Sequence, residues 1–205
     1  PTSTACKAIT VLGKKNKYSV EDSQCIRCGK CIDVCPMRLM PLLMHKASRK
    51  GDLQELKALE AEGLDGVRMC IETMGKINVL GDQQEVCTIC RLDDRLLPCI
   101  DFGHLNARTQ GGMSRPEDFA RLLDLLENRL GAERAAHFHA HFSKIEYGKG
   151  GEVKHLTFED TEYGPEFAPL AQLLAERRLA PRIICESAGT QAEDAKAMKD
   201  YYLGL

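Results

Sequence analysis

Cys25, Cys28, Cys31 and Cys35, with Pro36 directly after the last, follow the spacing C-x2-C-x2-C-x3-C-P. Four thiolates set this closely on a turning backbone can converge on the irons of a cuboidal iron–sulfur cluster. Pro36 stops the loop from running straight into a helix. A zinc knuckle or a disulfide cluster is the alternative, but zinc sites usually divide their ligands between two separated C-x2-C pairs. One 4Fe–4S cluster is therefore the expectation for this stretch. The other cysteines, Cys6, Cys70, Cys87, Cys90, Cys99 and Cys185, form no second run of this kind. In two-cluster proteins the fourth cysteine of each run serves the other cluster. The fourth ligand here is then Cys35 in strained geometry, a remote cysteine, or one from a partner. Cys87 and Cys90 repeat C-x2-C on a stretch that reads as helix, and are expected to be small helical side chains, not ligands.

A second set of chemically able residues is spread along the chain. Glu72, Asp101, His141 and Glu186 each stand at or near the C-terminal end of a segment that reads as a strand. That is where parallel α/β sheets build their sites. Three carboxylates and one imidazole make a hard, mostly oxygen set suited to Mn²⁺, Mg²⁺ or Zn²⁺. In Ala136–Phe142, alternation puts His137, His139 and His141 on one face and Phe138, Ala140 and Phe142 on the other. His141 is the ligand candidate, and His137 and His139 are expected deeper, as core histidines. His104, past the flexible Gly103, could hold a second ion or touch substrate. His155 falls on a long loop rich in glycine and lysine, as a candidate site residue. His45 reads as a surface helix residue.

Those residues need elements to position them. Residues 1–24 look extended or loop-like. Helices are expected over 39–50, opened by Pro41, and from Asp52 to Leu59. The glycine-interrupted, charged stretch 60–66 is taken as a junction. Beyond it, Val67–Glu72 reads as a strand, and Asp82 with Glu85 forms a capping box for a helix to Arg91. Leu96–Asp101 is the next strand. Ser114 and Pro116 open a helix with Phe119, Leu122, Leu123, Leu126 and Leu130 on one face, closed by Gly131. Ala136–Phe142 is the third strand, Pro165 opens a helix to Arg178, and Arg182–Glu186 is the fourth strand. A box of Thr190 and Glu193 opens the last helix. Four strand–helix units in succession predict a parallel sheet with right-handed crossovers. The expected fold is α/β: four βα units over 67–205, half of an eight-unit barrel, preceded by a ferredoxin-like segment over 1–59. The outer strands of a half-barrel leave edges, so pairing with a second copy is expected.

Composition narrows the classes. At 205 residues, with a net charge of −2 and a pI near 6.4, the chain shows no global basic footprint for nucleic acid or an acidic membrane surface. No apolar run approaches the roughly 20 residues needed to span a bilayer. Ten cysteines without an export signal read as reduced thiols and metal ligands, which suggests a cytoplasmic protein.

Two resemblances cover most of the chain. Residues 1–59 resemble the C subunit of the Rnf ion-translocating ferredoxin–NAD oxidoreductase complex. The matching residues are Ala8–Leu12, Glu21-Asp22-Ser23, Cys25–Cys31, Cys35-Pro36-Met37 and Lys50–Leu53. That resemblance implies electron transfer to a redox or membrane-complex partner. From residue 63 the chain resembles the C-terminal half of the xylose-isomerase-like TIM barrels, nearest the endonuclease IV branch. It does so through Ile71–Lys76, Ile100–Asn106, His141–Lys144 and Ile184–Ser187. This implies metal ligation by Glu72, Asp101, His141 and Glu186, with His104 and His155 on a further ion. Glu72 and Glu186 are the catalytic candidates. Two chemistries follow: zinc-dependent cutting of DNA beside an abasic site, or single-ion isomerisation or epimerisation of a small sugar. Val153 stands where the nuclease branch has an aspartate, two residues before His155, and the histidines of that family's N-terminal strands have no counterpart. The pairing of the two segments also leaves open an inactive chimeric fragment.

Overall fold

The computed structural model describes residues 68–205. The cysteine run Cys25–Cys35, the helices expected over 39–59, His45 and the junction at 60–66 lie outside the described residues. Within 68–205, strands and helices alternate. β1 (Met69–Glu72) leads to α1 (Gln83–Cys90), and β2 (Leu96–Asp101) to α2 (Phe102–Arg108) and α3 (Pro116–Leu130). The short α4 (Ala132–Ala136) precedes β3 (His139–Phe142), and a hairpin follows, β4 (Ile145–Gly148) and β5 (Gly151–His155). The chain then forms α5 (Ala168–Glu176), β6 (Arg182–Cys185) and α6 (Gln191–Leu203). One four-stranded sheet has the order β1-β2-β3-β6, with β2, β3 and β6 parallel, while β4 and β5 pair antiparallel in a sheet of their own. This is the α/β half-barrel arrangement that the pattern predicts.

Local chemistry explains where the helices start. Asp82 Oδ1 accepts the N–H groups of Gln84 and Glu85 at 2.8 Å each, and Glu85 Oε2 accepts the Asp82 N–H at 2.9 Å. The capping box therefore forms in full. α3 has Pro116 in its first turn, and Asp118 accepts the N–H of Arg115 at 2.9 Å. Its five apolar residues Phe119, Leu122, Leu123, Leu126 and Leu130 are all buried. Phe138, just ahead of β3, and Ala140 and Phe142 within it are fully shielded as well. The Phe102 ring lies 5.8 Å from Phe119, 6.5 Å from Phe138 and 6.0 Å from Phe142, centroid to centroid. Each such ring contributes about 1.5–3 kcal/mol on burial. This aromatic layer fixes β3, and through it the opposite, histidine-bearing face.

Several expectations need correction. β3 begins at His139, not Ala136, because Ala132–Ala136 form α4, a run dominated by strong helix formers. His137 is exposed, and its Nδ1 meets the Glu133 carbonyl at 3.1 Å, so only two imidazoles share the inner face. Pro165 follows a cis peptide and opens no helix; α5 starts at Ala168, with Pro169 in its first turn. The box at Thr190 does not close. Thr190 Oγ1 donates to Asp194 Oδ2 at 2.8 Å, and the same oxygen accepts the Phe158 N–H at 3.1 Å, tying α6 to the loop after β5. His155 ends β5 and is not on a long loop. α2 was not anticipated: Asp101 caps it straight from the end of β2, accepting the His104 N–H at 2.7 Å.

Candidate metal centre

The four strand ends converge. One ligand atom each from Glu72, Asp101, His141 and Glu186 lies within 4.8 Å of all the others. His141 Nδ1 is 2.9 Å from Glu72 Oε1, 3.5 Å from Glu186 Oε1 and 3.8 Å from Asp101 Oδ2. Sequence spacing of roughly thirty to forty-five residues between these groups becomes adjacency because each stands at the end of a neighbouring strand. Glu186 is anchored by its N–H to the Phe142 carbonyl at 3.1 Å. Thr73 Oγ1 accepts the Asp101 N–H at 2.8 Å, locking the end of β1 to the end of β2.

Asp101 tests whether the set suits a cation. Its side chain is fully buried, and Oδ2 has no hydrogen-bond partner. The nearest nitrogen, His104 Nδ1 at 3.3 Å, directs its proton to the Thr73 carbonyl, 2.9 Å away. A buried carboxylate oxygen left without a donor is costly, and a metal ion at the quartet would satisfy it. The donor set fits a hard divalent ion.

The electrostatics follow from three acids in one small space. Burial pushes the Glu72 carboxyl up. The hydrogen bond from His141 and the charges of His141, His104 and His139 outweigh it, holding Glu72 below the usual range. Burial raises Asp101 and Glu186, helped for each by the neighbouring carboxylates and opposed by His141. Burial alone would lower His141, but its bond to Glu72 and the charges of Glu72, Glu186 and Asp101 lift it to about 9. His104 is raised in the same way, against burial, by Asp101, Glu72 and Glu152. The protonated His141 ring thus balances the acids in the ion-free site. His139, shielded and facing the His141 charge, drops to about 4 and stays neutral.

A second ligand set adjoins the first. His104, Glu152 and His155 offer atoms that all lie within 4.8 Å of one another. Because the Thr73 carbonyl can only accept, His104 carries its proton on Nδ1 and presents the Nε2 lone pair, 3.5 Å from Glu152 Oε2. His155 Nδ1 is held by Ser143 Oγ at 2.8 Å. The hairpin is drawn over β1's following loop by the Glu152 N–H to Gly75 carbonyl bond at 3.1 Å. Only glycine fits at 75: an added Cβ would stand 2.7 Å from Glu152 Cβ. Arg108 fastens the same loop through Nη1, at 2.7 Å from the Lys76 carbonyl and 2.8 Å from that of Val79.

Glu152 is the site residue that strand alternation conceals. In the β4–β5 register Glu146 opposes Lys154 but Tyr147 opposes Glu152, so β5 holds one extra residue, Val153. This bulge turns Val153 outward, to 57 % exposure, and lets Glu152 and His155 serve one cluster although three positions apart. Glu152 thus brings a carboxylate to the cluster beside His104 and His155. Of the other histidines, His139 is buried beside His141, and His137 lies away from the site. Cys87 and Cys90 are buried helical residues as expected, the Cys87 thiol being pushed up to about 11 by burial. Among the described residues no helix is long and apolar enough to cross a membrane.

Comparison with known proteins adds three findings. A family model described as xylose isomerase-like TIM barrel matches residues 52–201. A 4Fe–4S binding domain matches residues 18–38, the stretch that contains all four cysteines of the run. An uncharacterized protein of Methanocaldococcus jannaschii is 31 % identical over 202 residues, an alignment covering 93 % of this chain and 72 % of the relative. What that alignment leaves out is shorter than the stretch ahead of Cys25, so it takes in both segments.

Proposed function

The chain belongs to the xylose isomerase-like TIM-barrel family, and from that footing we propose that residues 67–205 are a divalent-metal phosphodiester hydrolase, with DNA at an abasic site as the substrate class. The observation that carries this is the pair of adjoining ligand sets, Glu72–Asp101–His141–Glu186 and His104–Glu152–His155. Isomerisation of a sugar asks for one ion holding vicinal oxygens, which the first set alone provides. Hydrolysis of a phosphodiester gains from cations on both sides of the reacting phosphorus. When bound, such ions supply Lewis-acid activation of water and neutralise charge growing on the phosphate oxygens.

The chain's own groups do the rest. Glu186, raised by burial and 28 % exposed at the rim, is placed to take up the proton of an attacking water. Glu72 stays ionised, and before an ion arrives it orients the His141 ring through its 2.9 Å bond to Nδ1. Lys76, exposed one residue beyond Gly75, is available to a phosphate backbone approaching the rim. Incision of an abasic duplex, set beside aldose–ketose interconversion, tests the reading. Glu186→Gln is expected to cut incision by about 10²–10⁴-fold, the usual worth of a general base. Interconversion without incision would favour the single-ion sugar chemistry instead. Manganese affinity unchanged in both Glu72→Ala and His141→Ala would end the metal reading.

For residues 1–59, electron delivery from one 4Fe–4S cluster to a redox partner of the Rnf type is the companion proposal, with the boundary at 60–66. The family match begins at residue 52, which keeps that boundary a proposal. An accidental join would leave a relative aligned on one side of it, whereas the archaeal relative aligns on both.

A further inference from the structure

Below the quartet, the same strands carry a softer set of side chains. Cys99 lies two residues before Asp101 on β2, and His139 two before His141 on β3. Strand alternation therefore puts both on the site-bearing face, one layer down. Cys99 and His139 are direct register partners across the β2–β3 pair, as Asp101 and His141 are. Cys99 is 2 % exposed and His139 6 %. The two Nε2 atoms of His139 and His141 face each other at 3.2 Å, with the rings 81° apart. Cys99, His139 and His141 each place one ligand atom within 4.8 Å of the others. Two imidazole nitrogens held tetrahedrally at the usual zinc distance of about 2.0 Å stand about 3.3 Å apart, so the gap across these rings is ligand spacing.

We propose that Cys99, His139 and His141 form a zinc site beneath the carboxylates, sharing His141 with the quartet at the rim. The Glu72 bond supplies the orientation. With Nδ1–H donated to Glu72 Oε1, His141 directs its Nε2 down toward His139, and once the Nε2 proton has left, this is the carboxylate–histidine–zinc arrangement. One thiolate and two neutral imidazoles select zinc over magnesium or manganese, which prefer oxygen. On binding, the Cys99 thiol and the protonated His141 ring, at Nε2, each give a proton to solvent, and the freed sulfur and nitrogen lone pairs join that of His139 on the ion. A neutral imidazole has one ring proton, so His141 serves the lower site when its Nδ1 is not engaged by an ion above. The inference shares His141 with the rim but does not require the hydrolase reading.

Zinc-edge X-ray absorption on the full chain tests it. The iron–sulfur cluster is first rebuilt anaerobically to occupy the N-terminal thiolates, and zinc is then added below one equivalent. Wild type is expected to show one sulfur at about 2.3 Å with two imidazoles. Cys99→Ser should lose the sulfur, and His139→Gln should lose one imidazole. Glu186→Gln should keep the whole signature while weakening manganese binding at the rim, which separates this site from the quartet. A shell of oxygen and nitrogen alone in wild type, which needs no variant to fold, overturns the proposal. So does a sulfur contribution that survives in Cys99→Ser.

Discussion

Raising the pH from 7 to 9 should tighten manganese binding at the quartet by about 50-fold. An ion can take the His141 lone pair at Nδ1 only after the protonated ring gives up a proton. The ion-free site lifts that ring to about 9 through its bond to Glu72 and the surrounding carboxylates. At pH 7, roughly one ring in a hundred is therefore ready to ligate, a penalty of about 3 kcal/mol that fades as the pH passes through 9. Protons shed by Glu186 or Asp101, both raised by burial, would steepen the dependence at lower pH and not flatten it. Calorimetric titration of manganese into the cluster-loaded chain, in buffers of different ionisation enthalpy, reads affinity and proton release together. About one proton per ion is expected at pH 7. Glu72→Gln removes the bond that raises His141, so its binding should be weaker and also less pH-dependent above pH 7. The same shift bears on stability. The folded His141 value lies above the unfolded 6.5, so about 3 kcal/mol is fully present below pH 6.5 and is lost as pH climbs through 9. Affinity that stays flat between pH 7 and 9, with no proton released, would refute the reasoning.

Three other outcomes are expected. Asp101→Asn removes a buried charge whose Oδ2 has no donor, so the ion-free variant should melt no lower than wild type while manganese no longer raises its melting temperature; a clearly lower ion-free melt would show that the oxygen is satisfied. Phe138→Ala opens the aromatic layer behind β3 and should cost about 3–5 kcal/mol in denaturant unfolding; a loss under about 1 kcal/mol would mean the layer collapses around the gap. Anaerobically reconstituted wild type should be brown and bleach with dithionite, and Cys28→Ser should not; colourless wild type would count against the cluster.

How far the sequence could be read depended on how local each signal was. The Asp82–Glu85 box and the spacing Phe119–Leu130 needed only a few neighbouring residues, and both elements stand where the pattern puts them. The quartet was legible because each member ends a strand, and parallel strands deliver their ends to one rim. Boundaries failed where two local preferences competed. Ala136 belongs to a strand by alternation and to a helix by propensity, and the alanine-rich run went to the helix, removing His137 from the inner face. At Thr190 a capping box with Glu193 was plausible, yet Asp194 captured the hydroxyl because Phe158 had already fixed that carboxylate.

Glu152 shows why the remainder was hidden. Counting by twos along β5 sets Glu152 and Lys154 together and opposes them to Val153 and His155, which breaks up the second cluster. The count is wrong by one because Val153 has no partner on β4, and that is a property of the hairpin's register and not of β5 itself. An apolar residue turned to solvent at 153 is tolerated only because the bulge swings the preceding carboxylate inward, against Gly75, where no larger residue would leave room. Moving the acid back, by Glu152→Gln with Val153→Asp, should therefore leave the second set unrestored, since the bulge points 153 away from His104. Recovery of second-ion binding in that double variant, measured by manganese stoichiometry, would mean that the hairpin can slip its register to suit whichever position carries the charge.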